Sequence, residues 1–248
     1  KNKKIERCRA EGKLSNLERE LAKQPVSGLI GIGHTRWATH GEPNDINAHP
    51  QFSNSKKLCL VHNGIIENYS TIKLKLIKEG FSFSSETDTE VLVNLIEFIK
   101  NKNDVKLGEA VQIALNQVIG AYAIAVIDDN KPDEIVVAKL GSPLCIGIGE
   151  DEHFIGSDVT PFIEYTKDVV YLEDGELAII RNHKETFFRK IDDDSLISPI
   201  VSKLELSLDK IEKQGYDHYM LKEIYEQPKA IKDTLRGRLN VTKGIIKM

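Results

Sequence analysis

The chain has 248 residues, of which 40% are hydrophobic and 29% charged, and its formal net charge is −4. This composition is typical of a globular protein that can bury a substantial core, and a slightly acidic chain offers no basic field for nucleic acid. No apolar run reaches the roughly 20 residues that span a bilayer, and no apolar segment follows the basic start. We therefore expect neither a membrane span nor a secretory signal.

Three cysteines, Cys8, Cys59 and Cys145, lie far apart in the chain. Their spacing fits neither a disulfide framework nor a zinc site. Cys59 and Cys145 occur in apolar, strand-like runs, so we expect them to behave as small buried hydrophobic residues. Reduced cysteines of this kind are typical of the cytoplasm, which is the compartment we expect.

The first quarter of the chain predicts one helix and two strands. Apolar residues at helical spacing indicate a helix over residues 14–24. Short apolar runs indicate strands over residues 28–33 and 57–62. The pair Asn63-Gly64 is typical of a turn and predicts the end of the second strand.

Three helices are predicted next. The first covers residues 65–79 and is followed by a short strand over residues 81–84. The second begins where Thr87 precedes Glu90 by three residues, a spacing typical of a capping box, and runs to about residue 100. The third helix covers residues 105–119.

After Gly120 the chain becomes a series of short apolar runs separated by turn residues. These runs predict antiparallel hairpins with strands over residues 121–128, 134–140, 144–149, 153–157, 169–172, 176–181 and 186–191. A helix over residues 218–227 follows a polar stretch, and Pro228 begins or kinks the next segment, to Arg238. The predicted fold class is α+β, with helices packed on mainly antiparallel sheets.

The run His-Thr-Arg-Trp-Ala-Thr-His-Gly-Glu-Pro, residues 34–43, follows a predicted strand and ends in a turn. Loops held by a rigid scaffold are where binding groups concentrate. The guanidinium group of Arg36 can bind a carboxylate or phosphate through two parallel hydrogen bonds. The alternative interpretation is a surface arginine beside a half-buried Trp37.

Asn63 and Gly64 form a second motif. An asparagine side chain followed by a glycine backbone N–H can direct two donors at one point, and such donors stabilise an oxyanion that develops in a transition state. The alternative, and for this dipeptide the more common one, is an ordinary turn.

Asp88 lies at the start of a predicted helix, where an acid usually caps the helix or complements its dipole. It could instead hold an ammonium group. Arg36 for a carboxylate and Asp88 for an ammonium together describe a site for an α-amino acid, and donors at Asn63 place the reaction at an acyl or amide carbon. The turn at residues 141–144, Gly-Ser-Pro-Leu, has a structural explanation by itself.

Longer stretches extend these motifs over nearly the whole chain. They are residues 33–43, 47–50 (Asn-Ala-His-Pro), 61–68 (Val-His-Asn-Gly-Ile-Ile-Glu-Asn), 85–90 (Ser-Glu-Thr-Asp-Thr-Glu), 120–123, 141–144, 157–158 and 218–228 (His-Tyr-Met-Leu-Lys-Glu-Ile-Tyr-Glu-Gln-Pro). In this order they closely resemble the glutamine-hydrolysing domain of the glutamine–fructose-6-phosphate aminotransferases, which are class II amidotransferases. Amidotransferases of purine or asparagine synthesis share only fragments such as Asn-Gly.

The resemblance implies a four-layer αββα sandwich of the N-terminal-nucleophile hydrolase type. It implies that Arg36 binds the carboxylate of L-glutamine and that Thr39 and His40 line the same pocket. Asp88 would bind the α-ammonium group. No cofactor and no metal are expected.

The resemblance also implies that Asn63 and the N–H of Gly64 form the oxyanion hole, and that Trp37 gates the passage of ammonia. The family's nucleophile is an N-terminal cysteine that heads a glycine-rich strand and uses its own α-amino group as the base, a known form of nucleophile activation. The present sequence starts with Lys1, and Cys8 has neither a free α-amine nor such a strand. We therefore expect the nucleophile to be absent, and we expect this sequence alone not to hydrolyse glutamine.

By the same resemblance, residues 1–215 form the glutamine amidotransferase domain, incomplete at its N-terminus, and residues 216–248 lead to a sugar isomerase domain that is absent. In the family, the ammonia converts fructose 6-phosphate to glucosamine 6-phosphate for the UDP-N-acetylglucosamine pathway. The expected partners are L-glutamine and the sugar isomerase domain of the same polypeptide, in a homo-oligomer, without nucleic acid or membrane.

Two other classes of protein stay open. The first is a metal protein, because four histidines occur close together in the sequence; these are His34, His40, His49 and His62. Their spacing exceeds the four-residue separation typical of paired zinc ligands, and no cysteine pair accompanies them. The second is a catalytically silent amino-acid-binding module, since the anchor residues are present without the nucleophile.

Overall fold

The computed structural model describes residues 4–37, 39–181, 186–204, 215–235, 239–240 and 245–246. The chain divides into two compact units, Lys1–Lys203 and Leu204–Met248. The predicted boundary between a domain over residues 1–215 and a following segment over residues 216–248 stays a prediction. Among the described helices, none has both the length and the apolar character needed to cross a bilayer.

Short and medium strands make up much of the chain. In chain order they are β1 (Gln51–Phe52), β2 (Leu58–Ile66), β3 (Gly120–Asp128), β4 (Lys131–Leu140), β5 (Cys145–Ile148), β6 (His153–Gly156), β7 (Asp168–Tyr171), β8 (Glu176–Arg181), β9 (Phe187–Lys190), β10 (Leu196–Ile197), β11 (Val201–Lys203), β12 (Leu239–Asn240) and β13 (Ile245–Ile246). The helices are α1 (Leu14–Lys23), α2 (Tyr69–Lys78), α3 (Asp88–Asn103), α4 (Leu107–Leu115) and α5 (Tyr219–Leu235), with a 3-10 helix at Thr160–Phe162.

The first unit contains two antiparallel sheets. One has seven strands in the order β1-β2-β3-β4-β8-β9-β10, and the other has four in the order β11-β7-β5-β6. Every pairing between neighbouring strands in these two sheets is antiparallel. In the second unit, β12 pairs with β13. The hairpins predicted from residues 121–128 with 134–140, 144–149 with 153–157, and 176–181 with 186–191 are confirmed. The hairpin predicted from residues 169–172 with 176–181 is wrong, because β7 and β8 lie in different sheets.

Helices α2, α3 and α4 cover one face of the seven-stranded sheet. Leu60 of β2, Ile124 of β3 and Ile96 of α3 belong to the core between them, and each is almost fully buried. Burying one such side chain stabilises the fold by about 1.5–3 kcal/mol. The apolar side chains of these helices and strands therefore hold the two layers together.

The opposite face of the seven-stranded sheet meets the four-stranded sheet. Val137 of β4, Ile146 of β5 and Val170 of β7 lie in this second core. On the outer side of the small sheet, the ring of Phe162 lies so close to Gly147 that an added Cβ atom would be 2.8 Å from it. The layers thus follow one another as helices, sheet, sheet and a short outer helix, and the predicted α+β class is confirmed.

The start of α3 follows the predicted cap only in part. The hydroxyl of Thr87 accepts a hydrogen bond from the N–H of Glu90 at 3.2 Å, as expected. The carboxylate of Glu90 instead accepts from the N–H groups of Ser84 and Ser85, at 2.9 and 2.6 Å. These bonds tie the preceding loop to the helix, and the strand predicted over residues 81–84 is wrong.

The strand predicted over residues 28–33 is also wrong. Ile30 and Ile32 pack against the second core, as alternation predicts, but residues 28–33 join no strand ladder in the structure. The helix predicted over residues 65–79 begins only at Tyr69, because β2 continues to Ile66. The helix predicted over residues 218–227 runs through Pro228, and Arg238 lies outside the described residues.

We predict that Leu92→Ala destabilises the protein by about 2–5 kcal/mol, the usual cost of a cavity in a packed core. Leu92 is 1% exposed in α3. The matched control is Leu74→Ala, because Leu74 is 64% exposed in α2; its free energy of unfolding should change by about 0.5 kcal/mol or less. Urea unfolding measures both, and equal losses would contradict this description of the core.

Candidate functional site

Asn63 and Gly64 lie within β2, so the prediction that the strand stops there is wrong. β2 continues to Ile66 and stays paired with β3 along its whole length. Since successive strand residues point to opposite faces, His62 faces α3, where its Nδ1 lies 3.2 Å from the hydroxyl of Thr89. Asn63 points the other way and lines a cavity of about 670 Å³ between the sheets.

Gly64 occupies a position that no other residue fits. Its φ is +133°, a conformation that L-residues with side chains rarely adopt. An added Cβ atom would also lie 2.1 Å from the carbonyl oxygen of Ala121 on β3. The glycine therefore lets β2 and β3 stay together beside Asn63.

Asp88 is the first residue of α3 and is only 3% exposed. Its Oδ2 atom accepts a hydrogen bond from the N–H of Ile66 at 2.8 Å. The same atom lies 3.9 Å from Nδ1 of His62. The carboxylate is thus attached to the strand that carries Asn63 and Gly64.

Arg36 holds the loop that follows it. Its guanidinium group donates to the carbonyl oxygens of Glu42 at 3.1 Å and Gly41 at 3.2 Å, and also to that of His40. The carboxylates of Asp88 and Glu86 are near enough to act on its charge: burial lowers the pKa of Arg36, and these two groups oppose that shift. A positive group and a buried negative group therefore lie near each other.

Asn47 fixes the far end of this loop. Its side-chain amide donates to Glu42 O and to Glu86 Oε2, both at 3.1 Å, and its Oδ1 accepts from the N–H of Glu86 at 3.0 Å. Gly41 has a φ of +81°, and an added Cβ atom would lie 2.6 Å from the Asn47 amide. Sequence reasoning missed Asn47 and Glu86, since nothing local connects positions 39 residues apart.

The other predicted residues take different positions in the same loop. Thr39 is exposed, and Trp37 is 90% exposed. The ring of His40 packs edge-on against Tyr69, with ring centroids 4.9 Å apart. The structure therefore places His40 beside Arg36 and leaves Trp37 largely free of the core.

His34 connects the loop segment to the strand. Its Nε2 atom lies 2.7 Å from Oδ1 of Asn63. His34 and the neighbouring Thr35 line both the 670 Å³ cavity and a smaller one of about 170 Å³ that reaches Arg36. Sequence reasoning gave His34 no role beyond the metal alternative, because its contact partner is 29 residues away.

A buried row of polar groups continues from His34. Its ring lies 4.4 Å from that of His49, and Nε2 of His49 lies 3.1 Å from the hydroxyl of Thr89, which also contacts His62. Burial lowers the pKa of His49 to about 2, and the neighbouring imidazoles of His34 and His62 add to that shift. Burial also lowers the pKa of His34 and of His62. All three imidazoles are therefore neutral at pH 7.

These histidines lie near one another, yet they form no metal-binding arrangement. Within the described residues, no group of three or more His, Cys, Asp or Glu side chains is placed to hold a metal ion. His34 bonds instead to Asn63, and His49 and His62 both contact the hydroxyl of Thr89.

A family model for the glutamine amidotransferase domain matches residues 21–193. This range includes every residue of the site described above. It also covers both antiparallel sheets up to β9.

Curated relatives match over almost the whole chain. The glutamine–fructose-6-phosphate aminotransferase (isomerizing) of Bacteroides thetaiotaomicron is 55% identical over 242 residues, which cover 97% of this chain and 39% of that protein. The protein of the same name from Chlorobaculum tepidum is 47% identical over 247 residues, covering 98% and 40%. The chain thus spans about 40% of the length of these relatives.

A solved structure shares the fold. The glutamine phosphoribosylpyrophosphate amidotransferase from B. subtilis matches with a TM-score of 0.54 and 28% identity, over 64% of this chain and 34% of that one. Together with the two antiparallel sheets, this likeness confirms the predicted fold class.

We predict that the folded protein loses stability as pH falls below about 6.5, the pKa of an unfolded histidine. The buried histidines have lower pKa values when folded. At a pH between the folded and the unfolded pKa, the unfolded state binds more protons than the folded state. Each such histidine therefore lowers the free energy of unfolding by up to about 1.4 kcal/mol for each pH unit of acidification. Urea unfolding between about pH 7.5 and 5 measures the slope, and His49→Gln should reduce it by about one proton. An unchanged slope in that variant would show that His49 does not titrate in this way.

Proposed function

The chain belongs to the glutamine amidotransferase domain family, and on that premise we propose that its site binds L-glutamine and hydrolyses the side-chain amide, releasing ammonia. The observation that carries the proposal is the attachment of three groups to one stretch of β2. Asn63 and Gly64 lie on the strand, and the Asp88 carboxylate is bonded to the N–H of Ile66, two residues further on.

In the proposed complex, Arg36 binds the α-carboxylate of glutamine and Asp88 binds the α-ammonium group. The electrostatic interaction between Arg36 and Asp88 supports this pairing, because an α-amino acid carries both charges on one carbon. Thr39 and His40 would line the carboxylate side. Glu86, which also acts on the charge of Arg36, is a second acid near the ammonium position.

The proposed chemistry takes place at the amide carbon. Attack there moves the carbonyl electrons onto oxygen, and the side-chain amide of Asn63 with the N–H of Gly64 would stabilise that charge. In the family the attacking group is the thiol of an N-terminal cysteine, whose proton passes through the α-amino group to the amide nitrogen. Collapse of the intermediate then breaks the C–N bond and releases ammonia, and water hydrolyses the resulting thioester to glutamate and the free thiol. Burial raises the pKa of Cys59 to about 12 and that of Cys145 to about 11. Neither thiol is therefore available as the attacking thiolate at neutral pH.

The relatives' names suggest the use of the ammonia. We propose that it is transferred to fructose 6-phosphate to give glucosamine 6-phosphate, by a sugar isomerase domain of the same polypeptide. Residues 1–215 would be the glutamine amidotransferase domain and residues 216–248 the segment between domains. The exposed Trp37 would gate the ammonia. We also propose that the full polypeptide forms a homo-oligomer in the cytoplasm.

We predict that Arg36→Lys weakens glutamine binding by about 1.5–3 kcal/mol, the range for hydrogen bonds to charged groups. A lysine provides a point charge and cannot replace the planar fork, which also holds the loop carbonyls. Calorimetric titration measures the affinity. The control is Arg19→Lys on α1, where the guanidinium bonds to Ser15 and Asn16 of the same helix. Equal affinities for both variants would show that Arg36 is not the anchor.

We predict that Asn63→Ala lowers kcat for glutamine hydrolysis by about 10²–10³, the usual cost of losing one oxyanion donor. KM should change far less, because the donor acts where charge develops and not in the ground state. The measurement is glutamate release by the natural polypeptide that contains residues 1–248.

The control for this test is Asn130→Ala, in the turn between β3 and β4. It should leave both kinetic constants unchanged. A normal kcat with a raised KM in Asn63→Ala would contradict the oxyanion role, and binding of glutamine without its loss in the unmodified protein would indicate a silent binding module.

A further inference from the structure

The surrounding residues determine which group donates in the hydrogen bond between His34 and Asn63. Nε2 of His34 lies 2.7 Å from Oδ1 of Asn63, and the backbone of His62 also bonds to the ring. Nδ1 of His34 is buried with no hydrogen-bond partner among the described residues, so both contacts fall on Nε2. A neutral imidazole has one N–H donor and one lone pair. An orphaned buried N–H is rarer and more costly than an orphaned lone pair. The proton of His34 therefore lies on Nε2.

This tautomer settles the orientation of the Asn63 amide. An N–H on Nε2 of His34 needs an acceptor, so the carbonyl oxygen of Asn63 faces the ring and the NH₂ group points away from it. If the amide turned over, two N–H groups would meet at 2.7 Å. The NH₂ group is the one that an oxyanion requires.

We propose that His34 is a positioning residue that holds the Asn63 amide with its NH₂ group directed at the reacting carbonyl. The inference rests on the proposed glutamine hydrolysis and deepens it. An asparagine side chain on an exposed strand position can otherwise rotate, and Asn63 is exposed. The hydrogen bond from His34 removes that freedom before substrate binds, which is how preorganised donors act in catalysis.

His34 packs against His49, which belongs to a row of hydrogen bonds with a single direction. Nε2 of His62 lies 3.4 Å from the carbonyl oxygen of Ala121, so it donates. Nδ1 of His62 then accepts from the hydroxyl of Thr89 at 3.2 Å. The hydroxyl oxygen accepts in turn from Nε2 of His49 at 3.1 Å.

The direction of this row also explains why Nδ1 of His49 has no partner among the described residues. With its proton on Nε2, His49 leaves only a lone pair on the buried, unpaired Nδ1. Its ring lies 4.4 Å from that of His34 at an angle of 42°. The positioning ring is therefore packed against a group that is fixed to α3 through Thr89.

The test compares variants of the natural polypeptide that contains residues 1–248, by glutamate release. His34→Phe should lower kcat roughly tenfold to a hundredfold, with little change in KM. This loss should not exceed the loss of kcat in Asn63→Ala, which removes the donor itself. His34→Gln keeps an N–H donor of similar reach and should recover most of the rate. A phenylalanine variant with normal kcat, or a glutamine variant as slow as phenylalanine, would overturn the proposal.

A double-mutant cycle separates positioning from general damage to the fold. In the Asn63→Ala background, His34→Phe should cause no further loss of kcat, because the group that it positions is gone. Additive losses would overturn the proposal. The control is Tyr171→Phe on β7, which also removes a polar group from an aromatic ring and lies outside the row; it should leave kcat unchanged.

One measurement does not depend on activity or on a variant that folds. Two-bond ¹H–¹⁵N spectra of the imidazoles in the unmodified protein report which ring nitrogen carries the proton. A proton on Nε2 of His34 supports the proposal, and a proton on Nδ1 overturns it. If the natural polypeptide that contains residues 1–248 releases no glutamate, the proposed function fails, and these spectra still decide how His34 is bonded.

Discussion

The pairing of β2 with β3 is the constraint on which the rest of the site depends. The two strands stay in register from Leu58 opposite Asp128 to Ile66 opposite Gly120. Gly64 makes this possible, because a side chain there would collide with the carbonyl of Ala121. Strand alternation then sends Asn63 toward the space between the sheets and the neighbouring side chains toward α3. The pairing thus places Asn63 and His62 on opposite faces of β2 although they are neighbours in sequence.

A second constraint holds the loop with the charged anchor. Arg36 donates to carbonyls of its own loop, and Asn47 joins that loop to Glu86 just before α3. The positive charge is therefore placed by backbone carbonyls, while the negative charge of Asp88 is placed by the backbone N–H of Ile66. Both anchors of the proposed amino-acid site are thereby fixed by main-chain groups, so that little reorganisation is needed when a ligand binds.

Local pattern predicted the elements whose stabilising contacts are local. α1, α3 with its Thr87 cap and three of the hairpins after Gly120 follow from periodicity and turn residues. The turn at Asp174-Gly175 instead leads from one sheet to the other. The extended run over residues 28–33 failed, since a strand needs a neighbour that the sequence pattern does not specify. The Asn63-Gly64 pair failed because its glycine serves a close approach to another strand and not a turn. Resemblance identified the candidate site residues, but the bonds of His34 and Asn47 join distant positions and required the structure.

The central claim is that one α-amino acid bridges Arg36 and Asp88 with its side-chain carbonyl at Asn63 and Gly64. The most direct measurement is a crystal structure of the natural polypeptide with L-glutamate, the product of the proposed reaction. The account predicts its α-carboxylate on Arg36 and its α-ammonium on Asp88. It also predicts a side-chain oxygen within about 3.2 Å of Asn63 Nδ2 and the Gly64 nitrogen. Glutamate bound elsewhere, or bound here with its α-carboxylate away from Arg36, would contradict the account.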